Sequence, residues 1–271
     1  MSQTADAHRY PTFPILTNQV VLITGASSGI GAACAHAFAQ SGCRLIVAAR
    51  RSDRLTDLAR ALLQEGAAQV HCVSLDVRDA AAVDALLPSL PEPLRSIDIL
   101  INNAGLGRGR DKLHEGDPQE WDEMIDTNVK GLLRVNRAVL PQMVARDRGH
   151  ILHIGSIAGR TPYLGGTVYC ASKAAVHMIN ECLKHDLLGT QVRVSTVDPG
   201  MVQTEFSVVR FRGDEQRAAA VYQGMTPMTP QDVAESVLFC ASRPPHVNIS
   251  EVVMLATDQA SPTLVHRRPA P

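Results

Sequence analysis

The sequence predicts a single-domain α/β fold, a doubly wound parallel sheet of about seven strands with helices on both faces. Three observations carry this. Short apolar runs rich in Val, Ile and Leu recur at 19–24, 44–49, 69–75, 97–101, 149–155, 191–197 and 251–256. Helical segments separate them, an alternation that makes neighbouring strands parallel and covers the sheet on both sides. The marked loops, among them GASSGIG, Arg50-Arg51, Asp76-Val77, NNAG and DPGMVQT, directly follow strands. That places them at the carboxyl ends, where open α/β sheets bind their ligands.

The bulk numbers are those of a globular protein. The chain has 271 residues, 45% hydrophobic and 20% charged, enough for a sizeable core. Length alone admits one or two domains, but no linker or internal repeat divides the chain. A formal net charge of −1 argues against nucleic acid or an anionic membrane as partner. No apolar stretch reaches the roughly eighteen residues of a membrane span. The N-terminus, MSQTADAHRYPTFPILTNQ, lacks the basic-then-apolar layout of a secretory signal. Its polar start and two prolines suggest a loose arm over 1–18. Six scattered cysteines with no CxxC are read as reduced thiols in a cytoplasmic protein. Cys170, beside Tyr169, is read as a packing residue.

Strand 19–24 ends in GASSGIG and a helix follows, the context a dinucleotide fingerprint requires. Gly25 suits the tight turn, Gly29 and Gly31 allow close approach of backbone, and the helix N-terminus offers N–H groups to a pyrophosphate. Ser27, Ser28 and Ile30 complete this loop. Strand 44–49 ends at Ala49, where an NAD-binding chain usually carries Asp or Glu for the ribose 2′-hydroxyl. Arg50 and Arg51 follow instead, and guanidinium pairs well with a phosphate dianion. The expected cofactor is therefore NADP(H), with Arg50 the favoured contact.

A long helix is expected over about 118–146. Its apolar stripe, Trp121, Ile125, Leu132, Val135, Val139 and Met143, has a gap filled by Asn128. A buried amide there needs hydrogen-bond partners; it satisfies a neighbouring backbone group, holds a water for proton transfer, or both. Strand 149–155 delivers Ser156. Its two histidines, His150 and His153, point to opposite faces, so no shared metal is expected, and no other metal-ligand spacing occurs. The helix over about 167–188 is apolar nearly all round, which suggests burial by the sheet and by another subunit. Tyr169 and Lys173 stand one turn apart on it. Phenol, ammonium and the Ser156 hydroxyl can thus converge to move a proton at an alcohol oxygen. Residues 205–227 break the rhythm and suit a mobile cover over the site. A helix over 230–242, the last strand and a polar tail, 257–271, complete the chain.

Taken together, TGASSGIG, NNAG, Asn128, Ser156, YCASK and PGMVQT resemble the short-chain dehydrogenase/reductase family over about 19–256, in its compact, Rossmann-like single-domain branch. Gly155 departs from the second serine of many members. MIDTNVKGL, GSIAGR, TEFSVVRFRGDE, TPMTPQDVAE and TDQASP look like the NADP-dependent 3-hydroxy acid dehydrogenases, also called serine 3-dehydrogenases. The resemblance implies catalysis by Asn128, Ser156, Tyr169 and Lys173, with Tyr169 as acid/base, Lys173 favouring its phenolate, Ser156 orienting the substrate oxygen and Asn128 holding a water. Asp76 and Val77 would contact adenine, and Asn103, Ala104 and Gly105 the ribose side. Pro199, Gly200, Val202 and Thr204 would line the nicotinamide, with Val202 and Thr204 clamping its carboxamide. It also implies oxidation of serine, allo-threonine or another 3-hydroxy acid, and a homotetramer formed through the helices at about 118–146 and 167–188. A substrate carboxylate needs a donor, and Arg210 or Arg160 is the candidate. A broad NADPH carbonyl reductase and a non-catalytic NADPH-binding regulator remain the alternatives.

Overall fold

The computed structural model describes residues 8–269. Seven parallel strands form one sheet in the order β3-β2-β1-β4-β5-β6-β7. They are β1 (Val20–Thr24), β2 (Arg44–Ala49), β3 (Gln69–Ser74), β4 (Ile99–Asn102), β5 (Gly149–Ile154), β6 (Val192–Pro199) and β7 (Glu251–Met254). The five inner strands are buried almost throughout, whereas the edge strands β3 and β7 are half-exposed. This is why the inner strands read as unbroken apolar runs: both of their faces must be hydrophobic.

Ten helices cover the sheet among the described residues: α1 (Gly29–Gln40), α2 (Ser52–Gln64), α3 (Ala80–Asp84), α4 (Leu86–Ser89), α5 (Pro118–Ile125), α6 (Leu132–Ala145), α7 (Thr167–Asp186), α8 (Phe206–Arg210), α9 (Glu215–Ala220) and α10 (Pro230–Ala241). Phe38 of α1, Leu55 and Leu62 of α2 and Val233, Val237 and Leu238 of α10 pack one face. Val83, Leu86, Val135, Val139 and Met143 of α3, α4 and α6 pack the other. Strand order reverses between β1 and β4, so the loops after them open side by side. That crevice is the site a doubly wound sheet provides.

Three stretches differ from expectation. The helix predicted over 118–146 is interrupted by a π turn, 126–131, between α5 and α6. Asn128, the gap in the apolar stripe, sits in it and is 1% exposed. An extra residue in the turn rotates the amide inward, where it finds hydrogen bonds. Of the stretch expected to be a loose arm, residues 1–7 lie outside the described residues. From His8 the chain is held: Tyr10 and Leu16 are buried in the core, and the Tyr10 N–H donates to Gln40 Oε1 at 2.8 Å. Finally, the irregular cover over 205–227 contains the two short helices α8 and α9. Its base is fastened to the polar tail, where the Arg268 N–H donates to Gly224 O (2.7 Å) and the Thr226 N–H to Asp258 Oδ2 (2.8 Å).

Candidate active site

The loops at the carboxyl ends of the strands enclose one cleft of about 390 Å³. At one end β1 leads into Gly25, whose φ of +66° a residue with a side chain rarely adopts. Asn103, after β4, fixes this turn: its Nδ2 donates to Thr24 O (2.9 Å) and Gly25 O (3.1 Å). Thr24 Oγ1 in return accepts from the N–H groups of Asn103 and Ala104, both at 3.1 Å. α1 then starts from Ser28 with no side-chain cap. Its first N–H groups are therefore free to meet an anion. Gly29 and Ile30 open this helix along the cleft, and Gly31 lies behind them against Asn103.

Beside this anion position stands Arg51. Its guanidinium donates to Ser28 Oγ at 2.7 Å and Ser27 Oγ at 3.0 Å, and pairs with Glu205 at 2.9 Å. Arg54 reaches the same carboxylate at 2.6 Å. Burial works to raise the Glu205 carboxyl, but hydrogen bonds from Arg54 and Arg51 outweigh it and hold the group below its ordinary range. Arg50 is exposed at the same end. Asp76 and Val77 line the cleft after β3, and Asp76 is tied to Arg78 at 2.7 Å. The Arg78 hydrogen bond leads the effects that keep this carboxyl below the usual range.

At the other end Ser156, Tyr169 and Lys173 converge. Lys173, 7% exposed, donates from Nζ to Ile154 O at 2.8 Å. Its ammonium is pushed down to about 8 by burial, partly opposed by the negative charge of Asp198. Tyr169 is pushed up to about 12, first by burial; the Arg210 charge and a hydrogen bond with Ser156 pull the other way. The Arg210 guanidinium stacks on the phenol ring, with Cζ 4.8 Å from its centroid. Ser156 Oγ accepts from the Ala158 N–H at 3.1 Å, which fixes the hydroxyl at the end of β5.

Asn128 lies behind Lys173 rather than on the cleft wall. Its Oδ1 accepts from the Leu106 N–H (2.9 Å), and its Nδ2 donates to Leu106 O (2.8 Å) and Ser172 Oγ (3.0 Å). The side chain is thus committed to the backbone after Gly105 and to α7. Gly105 sits against both groups: a Cβ there would be 3.2 Å from Asn128 Oδ1 and 3.6 Å from Lys173 Nζ.

Pro199, Gly200, Val202 and Thr204 line the cleft after β6. Val202 O accepts from the Tyr222 hydroxyl at 2.8 Å, which ties this loop to the cover. Arg210 on α8 reaches over the reacting end, whereas Arg160 does not: its Nε donates to Asp198 at 2.8 Å and its NH2 pairs with Glu251 at 2.7 Å. Arg160 is thereby removed as a carboxylate donor. The His177, Glu181 and Glu251 ligand atoms lie within 4.8 Å of one another, but Arg160 and Lys184 already serve the two carboxylates.

The sequence assigns no role to several cleft residues. Tyr163, Phe206 and Arg110 wall the reacting end because the 157–166 segment, the cover and the loop after β4 fold onto it. Gln259 comes from the tail, and its Oε1 accepts from the Met201 N–H at 2.8 Å, fixing the loop after β6. Such contacts join segments far apart in the chain, so local pattern is silent about them. Glu205 stands next to Thr204 in the motif PGMVQT-E and was legible only as a neighbour.

Comparison with known proteins agrees with this geometry. The family model described as short chain dehydrogenase matches residues 19–214. The chain is 46% identical over 250 residues, 92% of its length and 99% of the relative's, to the NADP-dependent 3-hydroxy acid dehydrogenase YdfG of Salmonella typhi. It is 45% identical over 244 residues, covering 90% of the chain and 96% of the relative, to sulfoacetaldehyde reductase 2 of Chromohalobacter salexigens. Among solved structures, the closed form of serine dehydrogenase complexed with NADP+ superposes with a TM-score of 0.86 at 45% identity, covering 92% of this chain and 99% of that one. With its sheet order, its Ser-Tyr-Lys cluster and these relatives in agreement, the chain belongs to the short-chain dehydrogenase family.

Proposed function

We propose that this protein is an NADP(H)-dependent dehydrogenase that oxidises the 3-hydroxyl of serine, allo-threonine or related 3-hydroxy acids, and in reverse reduces the 3-oxo acids. The observation that carries the reading is the placement of Ser156, Tyr169 and Lys173 in one cleft, with the Arg210 guanidinium over the Tyr169 ring.

The chain fits the cofactor at three points: the uncapped start of α1 for the pyrophosphate, Arg50 and Arg51 for the 2′-phosphate, and the loop of Pro199, Gly200, Val202 and Thr204 for the carboxamide. Val202 supports the last role because its carbonyl accepts from the Tyr222 hydroxyl, which holds this loop in place beside the cleft. When bound, NADP+ supplies the hydride acceptor, and the redox chemistry is its own.

Tyr169 takes the alcohol proton. The free site holds the phenol protonated, at about 12, so ionisation depends on positive charge gathered at the loaded site. A cation within about 4–6 Å favours phenolate, and each unit of lowering corresponds to about 1.4 kcal/mol. Lys173 and Arg210 supply that charge from the protein. Ser156 donates to the substrate oxygen and fixes its orientation. Arg210 takes the substrate carboxylate. Asn128 anchors the segment behind Lys173, through the Leu106 main chain and Ser172 of α7.

We place the protein in the cytoplasm as a homotetramer assembled through α5, α6 and α7. Free thiols at all six cysteines suit a reducing compartment, and exposed Leu133, Val144 and Met178 on α6 and α7 suit a subunit contact. An initial-rate panel of L-serine, D-serine, allo-threonine and 3-hydroxypropionate with NADP+ and NAD+ tests the function. Turnover with NADP+ preferred supports it. Reduction of large neutral ketones in place of these acids turns the reading into a broad carbonyl reductase, and tight NADPH binding without turnover turns it into a cofactor-binding regulator.

A further inference from the structure

The reacting end of the cleft carries more positive charge than one carboxylate needs. Arg110 and Arg210 both approach the Tyr163 ring, with Cζ 5.2 and 5.9 Å from its centroid. Both line the cleft. Four other arginines around the cleft are paired with acids: Arg108 with Glu123 at 2.5 Å, Arg212 with Glu120 at 2.9 Å, and Arg51 and Arg54 with Glu205. Among the described residues, Arg110 and Arg210 have no such partner. Arg210 makes one hydrogen bond, from NH2 to the Tyr163 hydroxyl at 3.1 Å, while its Nε is buried with no acceptor.

Arg110 is exposed at the mouth, but its main chain is pinned. A Cβ on Gly165 would lie 1.9 Å from Arg110 O, so the loop after β4 is packed tightly against the segment before α7. The backbone that carries this guanidinium is therefore fixed at the mouth of the cleft. The adjacent Asp111 does not neutralise it: that side chain turns to Gly109 and lines a separate small hollow with Glu120 and Trp121. Two guanidiniums on one aromatic wall repel each other, and cation–π contact offsets only part of that cost. An anion between or beside them removes the repulsion and gains paired hydrogen bonds.

We propose that the preferred substrate is a short 3-hydroxy acid bearing a second carboxylate, with Arg210 on the group nearer Tyr169 and Arg110 on the other. This rests on the 3-hydroxy acid reading of the same site and narrows it. A monocarboxylate leaves the second guanidinium uncompensated; a dicarboxylate uses both. Malate and 3-hydroxyglutarate have this constitution, each with a hydroxyl two carbons from a carboxylate carbon.

The test compares kcat/KM with NADP+ for 3-hydroxypropionate, malate and 3-hydroxyglutarate at low ionic strength, in the native protein and in Arg110→Met. The expected result is a tenfold or greater advantage for at least one dianion, carried by KM and weakened by salt. Arg110→Met should lower that selectivity about tenfold, with NADPH binding, followed by nicotinamide fluorescence, as the check on folding. A native enzyme that favours the monoanion overturns the proposal. So does a selectivity that Arg110→Met leaves unaltered. If all three acids are inert while a neutral ketone is reduced, the 3-hydroxy acid reading falls together with this refinement; if only the dianions are inert, the refinement alone falls.

Discussion

The Arg210 guanidinium carbon lies 4.8 Å from the centroid of the Tyr169 ring and 4.8 Å from that of Phe206. It is a cation stacked on the proposed acid/base, and it comes from the cover rather than from α7. One side chain thus brings a charge from the cover to the Tyr169 ring. Replacing it by Met should cost about a hundredfold or more in kcat/KM for serine, the scale of a lost charge-assisted hydrogen bond plus part of the phenolate stabilisation. The loss on a neutral alcohol should be smaller, and the rising, acid-side limb of the pH–rate profile for oxidation should move to higher pH. Equal losses on both substrates with an unmoved profile contradict the assignment.

Glu205 pairs with Arg51 at 2.9 Å, one of the two arginines assigned to the 2′-phosphate, and with Arg54 at 2.6 Å. A phosphate dianion must compete with this carboxylate. Glu205→Gln should therefore tighten NADP+ binding several-fold with little change for NAD+, as read by titration calorimetry. Arg50→Asp and Arg51→Asp should each weaken the NADP+ preference by roughly ten- to a hundredfold, from about 1.5–3 kcal/mol per charged hydrogen bond. Arg51→Asp is expected to do more, because its guanidinium already rests on Ser27 and Ser28.

Gly155, which departs from the serine of many family members, has a local cause. A Cβ there would stand 1.9 Å from Asp198 Oδ1 and 2.9 Å from Thr196 Oγ1. Asp198 is 1% exposed and is held by Thr196 (2.7 Å) and Arg160 (2.8 Å), so it has no room to retreat. Gly155→Ser should cost about 1–3 kcal/mol by overpacking, a drop of several degrees in Tm measured by calorimetry. An unchanged Tm would mean that Asp198 moves freely.

Buried histidines set an acid limit on stability. His153 is bridged to Asn136 (3.0 Å) and Asn180 (3.1 Å) and is held down to about 4, chiefly by burial; His150, against Ser195 at 2.8 Å, is lowered well below its ordinary value, also chiefly by burial. Both stay neutral in the fold while the unfolded chain takes up protons near 6.5. Their lowered pKa values make stability full above about pH 6.5 and falling as pH drops towards about 4, by about 1.4 kcal/mol per pH unit for each histidine. Denaturant titrations between these pH values should show the slope, and His153→Asn should reduce it by about half. A pH-independent midpoint would rule this out.

The sequence by itself determined the sheet and its chemistry-bearing loops. All seven strands were legible, the five inner ones most plainly because parallel strands buried on both faces are apolar throughout. Gly25, Ser156, Tyr169 and Lys173 were legible because a turn, a strand end and one helical repeat fix them locally. Asn128 announced itself as a break in a stripe, although its inward turn through a π segment depends on Leu106 and Ser172, which a helical pattern does not encode. Tertiary structure decided the rest. It put Arg210 rather than Arg160 at the reacting end, brought Gln259 from the tail to Met201, set Glu205 between Arg51 and Arg54, and aligned Arg110 with Arg210 on Tyr163. The reason is physical: periodicity reports which side of its own element a residue faces, whereas a charge's partner depends on loops that meet only when the crossovers have packed.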